Sequence, residues 1–320
     1  MTRSKIPVGI SDFEKIRQNG YYYVDKSRYI TELEKYQVPV FLRPRRFGKS
    51  LFCTMLDYYY DLNETDRFES LFGDTWIGQH PTGRQNSYMV LHLDFSIVSV
   101  AENVRDMEKN FGIAINKSIR GFAEITYKKY FSDFRFSETT NSADLLSDLV
   151  TYISLNDLPQ MYIIIDEYDN FSNAILANAG TTHYKTLTHG AGFFRFFFNL
   201  IKEGATGDGP IKRMFITGVS PVTMDDVTSG FNIGTNMSCD ARFNNIIGFS
   251  EQELKQMLFY YKNAGDIPDS IDDLIAMMKP WYDNYCFSTD SLDEPMYNSD
   301  MVLYFLNNYL PHQKAPSNMI

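Results

Sequence analysis

Two short runs hold the residues best suited to chemistry. In Phe41-Leu-Arg-Pro-Arg-Arg-Phe-Gly-Lys-Ser-Leu51 a glycine, a lysine and a hydroxyl follow one another directly. In Met161-Tyr-Ile-Ile-Ile-Asp-Glu-Tyr-Asp169 an apolar run ends on two carboxylates. A triphosphate is a dense anion. Backbone N–H groups leading into a helix N-terminus give it donors and a favourable dipole. Gly48 lets the backbone come close, Lys49 reaches the β- and γ-phosphates, and Ser50 offers its hydroxyl to Mg²⁺. With Arg45, Arg46, Phe47 and Leu51 they form the expected binding loop. Asp166, at a strand end, is placed to hold the same metal through a water. Glu167, pointing the other way, is placed to polarise an attacking water. Together the runs predict a site for ATP and Mg²⁺.

One position departs from the usual loop. The pattern G-x-x-x-x-G-K-[ST] opens on glycine, and here Arg43 stands in its place. Arg43, Arg45 and Arg46 could clamp phosphates, which suit the guanidinium fork. They could equally form structural ion pairs with the chain's excess of acids. Thr217 ends another apolar run, Arg213-Met-Phe-Ile-Thr217, where a polar group could sense the γ-phosphate, with Ser220 as a substitute. The expected catalytic set is therefore Glu167, Lys49 and Thr217. Asp169 reads as a loop or cap residue and Asp94 as a strand-end acid. Arg242 reads either as an arginine finger or as a solvated surface arginine. The five histidines form neither H-x-x-x-H nor H-E-x-x-H, so no zinc site is expected.

The elements that must position these groups follow from periodicity. Short apolar strands are expected at 38–42, 88–94, 162–165 and 213–217, and a tyrosine-rich strand at 21–24. Helices are expected at 27–35, 49–60, 101–130, 142–154, 192–203, 250–261, 271–278 and 299–309, with a hairpin-like segment at 281–287. Ser250-Glu-Gln-Glu253 has capping-box spacing. The polar stretch 223–245, with Gly230 and Gly234, reads as a long functional loop. Strands alternating with helices predict an α/β fold, a P-loop NTPase-like parallel sheet flanked by helices. The division expected is 1–248 for that domain and 249–320 for a smaller, mostly helical lid.

The whole chain sets the limits. Its 320 residues are 44% hydrophobic, with 22 Tyr and 25 Phe, enough for a packed core. A net charge of −10 argues against a broad nucleic-acid face. A local patch from Lys117, Arg120, Lys128 and Lys129 stays open, against the plainer account of a solvated helix face. Three scattered cysteines make no disulfide framework, and no apolar leader or span of ~18 residues is seen, so the expectation is a cytoplasmic protein without a membrane role.

Beyond these readings, a family resemblance spans nearly the whole chain. Ile6-Pro-Val-Gly-Ile-Ser-Asp-Phe13, Tyr22-Tyr-Val-Asp-Lys26, Arg43-Pro-Arg-Arg-Phe-Gly-Lys-Ser50 and Ile164-Ile-Asp-Glu-Tyr168 carry its first half. Ile216-Thr-Gly-Val-Ser-Pro221, Ser229-Gly-Phe-Asn232, Gly248-Phe-Ser-Glu251, Trp281-Tyr-Asp-Asn-Tyr285 and Met296-Tyr-Asn298 carry the second. The set resembles the AAA-ATPase-like family of bacterial proteins. The resemblance makes Arg43 a family trait, since R-P-R-R-F-G-K-S is that family's version of the loop. Asn284 departs from the family's usual glycine. The resemblance implies P-loop nucleotide binding in a nucleic-acid-linked or defence process. Such chains commonly carry a PD-(D/E)xK nuclease-like domain after the ATPase-like part. The sequence to Ile320 reaches the point where that domain would begin and does not itself license a nuclease. Three functions are weighed: an ATP-hydrolysing switch, a non-hydrolysing nucleotide-binding interaction module and, ranked lower because the Asp-Glu strand suits water activation and no acceptor pocket can be identified from sequence, a small-molecule kinase. A protein partner and a homo-oligomer are compatible with the first two.

Overall fold

Apolar runs become the strands of one parallel sheet. The computed structural model describes residues 3–189, 192–221, 233–282 and 285–319. In it β1 (Pro39–Leu42), β2 (Met89–Asp94), β3 (Met161–Asp166), β4 (Ile211–Gly218) and the short β5 (Thr235–Asn236) lie in the order β2-β3-β4-β1-β5. Every pairing is parallel. Such a sheet must be covered on both faces, which is why β3 reads as an unbroken apolar run.

Alternate residues of each strand feed opposite cores. Before the sheet lie α1 (Phe13–Gln18) and α2 (Tyr29–Leu33). After β1 come α3 (Lys49–Tyr60), α4 (Phe68–Phe72) and α5 (Trp76–Gln79). These five cover the face that carries Phe41, Tyr162, Ile164 and Phe215. The other face carries Val40, Leu91, Ile163, Ile165 and Ile216. It is covered by α6 (Val104–Gly121), α7 (Ser142–Leu155), α8 (Asn170–Asn178), α9 (Gly180–Thr188) and α10 (Phe193–Ala205). A third core is built by α11 (Glu251–Asn263), α12 (Ile271–Tyr282) and α13 (Ser299–His312), with Ile6, Tyr22 and Val24 packed against it. A two-strand antiparallel pair, β6 (Phe249–Ser250) and β7 (Met296–Tyr297), joins this unit to the rest. The Ser250–Glu253 capping box is present.

Several expectations need correction. Residues 21–24 form no strand. Tyr21 makes one isolated bridge to Lys5, while Tyr22 packs on Tyr260 and Tyr261 and Tyr23 on Phe13. The rings are used to join elements rather than to line a ladder. The long helix expected over 101–130 ends at Gly121 and continues as a π-helical turn, Phe122–Thr126. There the Tyr127 N–H donates to Phe122 O, an i→i+5 bond. This wider turn lets Phe122 and Tyr127 both reach the core, with centroids 4.6 Å apart. Helices α4, α5, α8 and α9 lie in stretches without clear periodicity, where tertiary packing overrides weak propensity. Of the hairpin-like segment, Trp281 and Tyr282 end α12, and Tyr285 bridges Met296. Residues 283–284, with Asn284, lie outside the described residues. So do 222–232, which take in Gly230, Ser229-Gly-Phe-Asn232 and half of the polar loop. Among the described residues no helix is long and apolar enough to cross a membrane.

Candidate functional site

Parallel strands bring all their C-terminal ends to one edge, and ligands of open α/β sheets sit there. The register places Phe41 beside Thr217 and Leu42 beside Gly218, and Asp94 beside Asp166. β4 lies between the strand that enters the loop and the strand that ends on the acids. The two runs singled out in the sequence, distant in the chain, therefore meet.

They meet through Lys49 and Glu167. The Lys49 ammonium is buried, 3.2 Å from Glu167 Oε1, and donates to the carbonyls of Arg43 and Pro44 at 3.3 Å each. Glu167 takes a φ of +52°, a left-handed conformation that a non-glycine residue rarely adopts. Gly48, with φ +94°, caps α3, so Lys49 and Ser50 open that helix. Among the described residues the N–H groups of Arg46 and Gly48, and those of Lys49, Ser50 and Leu51 at the start of α3, donate to no carbonyl.

Asp166 lies behind this pair. It is buried and accepts the Glu167 N–H at 2.9 Å. Burial pushes its carboxyl up, a hydrogen bond with the Ser50 side chain and the His92 charge pull it back, and Glu167 and Asp94 push it up again. Ser50 and Asp166 thus lie close enough to influence one another electrostatically. His92 pairs with Asp57 at 2.6 Å. Burial opposes a charged ring there, but Asp57's charge and hydrogen bond, helped by Asp166 and Asp94, push it up to about 9.

The other candidates are placed as follows. Thr217 is buried, and its hydroxyl donates to Phe41 O at 2.7 Å, tying β4 to β1. Asp169 accepts the N–H groups of Val219 (3.0 Å) and Ser220 (2.6 Å) and the amide of Asn173, holding the ends of β3 and β4 together. Asp94 accepts the Ser96 N–H. Arg45 reaches Asn170 at 3.4 Å, and Arg46 is exposed beside Asp300 at 3.8 Å. Leu51 lines a cavity described below. Arg242 is held by Asp240 and the Tyr36 hydroxyl. Within the basic stretch, Arg120 pairs with Glu124 and Lys129 lies over the Tyr130 ring.

Arg43 does neither thing expected of it. Its guanidinium is 1% exposed, sandwiched between the rings of Phe41 (4.2 Å) and Phe287 (3.9 Å). It donates to the carbonyls of Leu42, Ser238 and Phe243. No carboxylate pairs with it among the described residues. Burial pulls its pKa down to about 9, still charged at neutral pH. It is a strut between β1 and the segment after β5.

A cavity of about 280 Å³ opens beside Gly48, Lys49, Ser50 and Glu167. Its apolar wall includes Pro7, Ile10, Tyr23, Met55, Phe249 and Leu303. The wall is assembled from stretches far apart in the chain. Met55 and Leu303 lie in helices expected from periodicity, while Pro7, Ile10, Tyr23 and Phe249 were marked only by the family-like runs at 6–13, 22–26 and 248–251.

Residues 7–228 match a family model described as Predicted AAA-ATPase. The chain belongs to that family. A protein of Azotobacter chroococcum mcd 1, described as "Uncharacterized protein in vnfD 5'region", is 27% identical to it over 317 residues. The alignment takes in 95% of this chain and 52% of that protein. This predicted AAA-ATPase thus spans about half the length of that relative. Its membership accords with the nucleotide site expected at the sheet edge.

Proposed function

We propose that this chain binds Mg-ATP at Arg45–Leu51 and hydrolyses it as a conformational switch. The observation that carries the reading is the meeting of Lys49 with Glu167, and of Ser50 with Asp166, beside an apolar cavity. The N–H groups of Arg46 and Gly48 and of the first turn of α3 are free to receive an anion, and the cavity beside them is of a size for the base. Ser50, half-buried, and Asp166, buried, are hard oxygen ligands of the kind that fit Mg²⁺. Bound there, the ion supplies positive charge against the β- and γ-phosphate oxygens.

The chain's own residues then have distinct work. Lys49 leaves Glu167 for the phosphates. Glu167, released, orients a water and takes its proton. Thr217 serves the site by fixing β4 against β1, and reaches a γ-phosphate only by giving up Phe41 O. Residues 249–320 act as the lid. Lys49→Ala is expected to abolish Mg-ATP binding, and Glu167→Gln to keep binding while stopping phosphate release. Full turnover in Glu167→Gln would overturn the role of that residue.

A second reading rests on the arginines. Arg43 is locked among carbonyls and Arg242 is held by Asp240, so neither offers charge to a transition state. A non-hydrolysing nucleotide-binding module would look the same. Phosphate release by the wild type above the Lys49→Ala background separates the two, and a series of protein concentrations shows whether a second copy is needed. If nucleic acid binds through phosphate contacts, affinity must fall steeply with salt.

A further inference from the structure

The loop lacks its first glycine yet holds a demanding shape, and the reason lies outside the loop. Its carbonyls are anchored one after another. Those of Arg43 and Pro44 take the Lys49 ammonium. That of Arg45 accepts from the Asn298 side-chain amide at 3.3 Å. That of Arg46 accepts from both the Ser299 hydroxyl and the Asp300 N–H, each at 3.2 Å. That of Phe47 accepts from the Gly248 N–H at 3.0 Å. All described peptide bonds are trans. Across a trans peptide the C=O of one residue and the N–H of the next point opposite ways. Holding the oxygens of Arg45, Arg46 and Phe47 against 248 and 298–300 turns the N–H groups of Arg46, Phe47 and Gly48 the other way. Of these, the N–H groups of Arg46 and Gly48, like those of Lys49, Ser50 and Leu51 that follow, donate to no carbonyl among the described residues. Arg46 sits at φ +70°, a strained conformation that persists only where surroundings over-determine it.

We propose that Asn298 and Ser299, at the start of α13, are positioning residues of the phosphate loop. They hold its donors aimed at the nucleotide in place of the flexibility a glycine would supply. The proposal rests on the nucleotide reading above for the identity of the ligand, but not for the anchoring itself. Asn298 is 3% exposed and has both ends in use: its oxygen caps α13 on the Met301 N–H while its amide holds Arg45. The two roles can be separated. Asn298→Ser keeps a good capping oxygen and is too short to hold Arg45. Ser299→Ala removes only the hydroxyl on Arg46.

The test uses the full chain carrying both substitutions, with two readouts. Hydrogen exchange at the loop's anchors, read without ligand at the Gly248 and Asp300 amides that donate to Phe47 O and Arg46 O, should quicken at least tenfold while the rest of α13 keeps wild-type rates. Mg-ATP affinity should fall at least tenfold. Exchange at these anchors unchanged, or rising only in step with the rest of α13, overturns the proposal. So does wild-type affinity in the variant when the wild type binds and Lys49→Ala does not. If the wild type binds no nucleotide, the functional reading falls by itself, and exchange at these amides still decides the anchoring.

Discussion

At the scale of single residues, Arg43 is the instructive one. Judged by the loop pattern it is a lost glycine. Judged by its contacts it is a buried cation held by three carbonyls and two ring faces, with its Nε left without a hydrogen-bond partner. A planar fork can do this, and a lysine or an aliphatic side chain cannot. Arg43→Gly, which restores the usual pattern, should therefore weaken the protein. The expected loss is about 3–5 kcal/mol, from the emptied volume and the abandoned carbonyls. Denaturant midpoints will show it, and a variant as stable as wild type would refute the strut. Glu167 teaches the converse lesson. Its type and place were plain in the sequence, but its left-handed backbone and its pairing with Lys49 depend on residues far along the chain.

At the scale of elements, what was legible depended on how each element is stabilised. β3 and α3 were read nearly to the residue, because an apolar strand and a one-faced helix carry their burial pattern locally. The π-helical turn at 122–126 and the helices at 170–188 were not, because partner surfaces rather than local spacing decide them. The candidate site divides the same way. The phosphate loop and the acids announced themselves as contiguous runs, whereas the cavity wall and the Asn298–Ser299 anchors are assembled from distant segments. The link between β2 and α3 adds a prediction. His92 and Asp57 join these elements, and His92 rises from an ordinary 6.5 to about 9 in the fold. A folded pKa above the unfolded one stabilises fully below about 6.5, and that contribution is lost as pH climbs through about 9. Melting curves from pH 6 to 10 should converge for wild type and His92→Gln at the alkaline end and separate at the acid end. A constant gap would refute the charged pair.

At the scale of the whole molecule, the lead-in and the C-terminal helices are bound together. Lys26, 8% exposed, lies 2.6 and 2.7 Å from the two oxygens of Glu253 and also donates to Asn245 O. Burial lowers its pKa, and the Glu253 charge opposes that. Losing one member of such a pair strands the other. Lys26→Met should cost about 2–3 kcal/mol in a denaturant titration, part of which a second change, Glu253→Gln, restores. If the double variant is no better than the single one, the pair is not what joins the two regions.

The hydrogen bond from Ser4 N–H to the Tyr260 hydroxyl closes a loop of 256 residues. A chain emerging from the ribosome has its lead-in and loop early, and α3 and α4 to pack against α1, but the partners of Ser4, Tyr22 and Lys26 and the donors to the carbonyls of Arg45 and Arg46 wait for α11 and α13. Until then Pro7 and Ile10 face water, and the loop carbonyls at 45 and 46 lack their donors. Such long-range closure is slow and comes late. A chain not yet extended through α13 would carry the motif without its anchors, so on the reading proposed above it would gain its hold on nucleotide only after those helices are made.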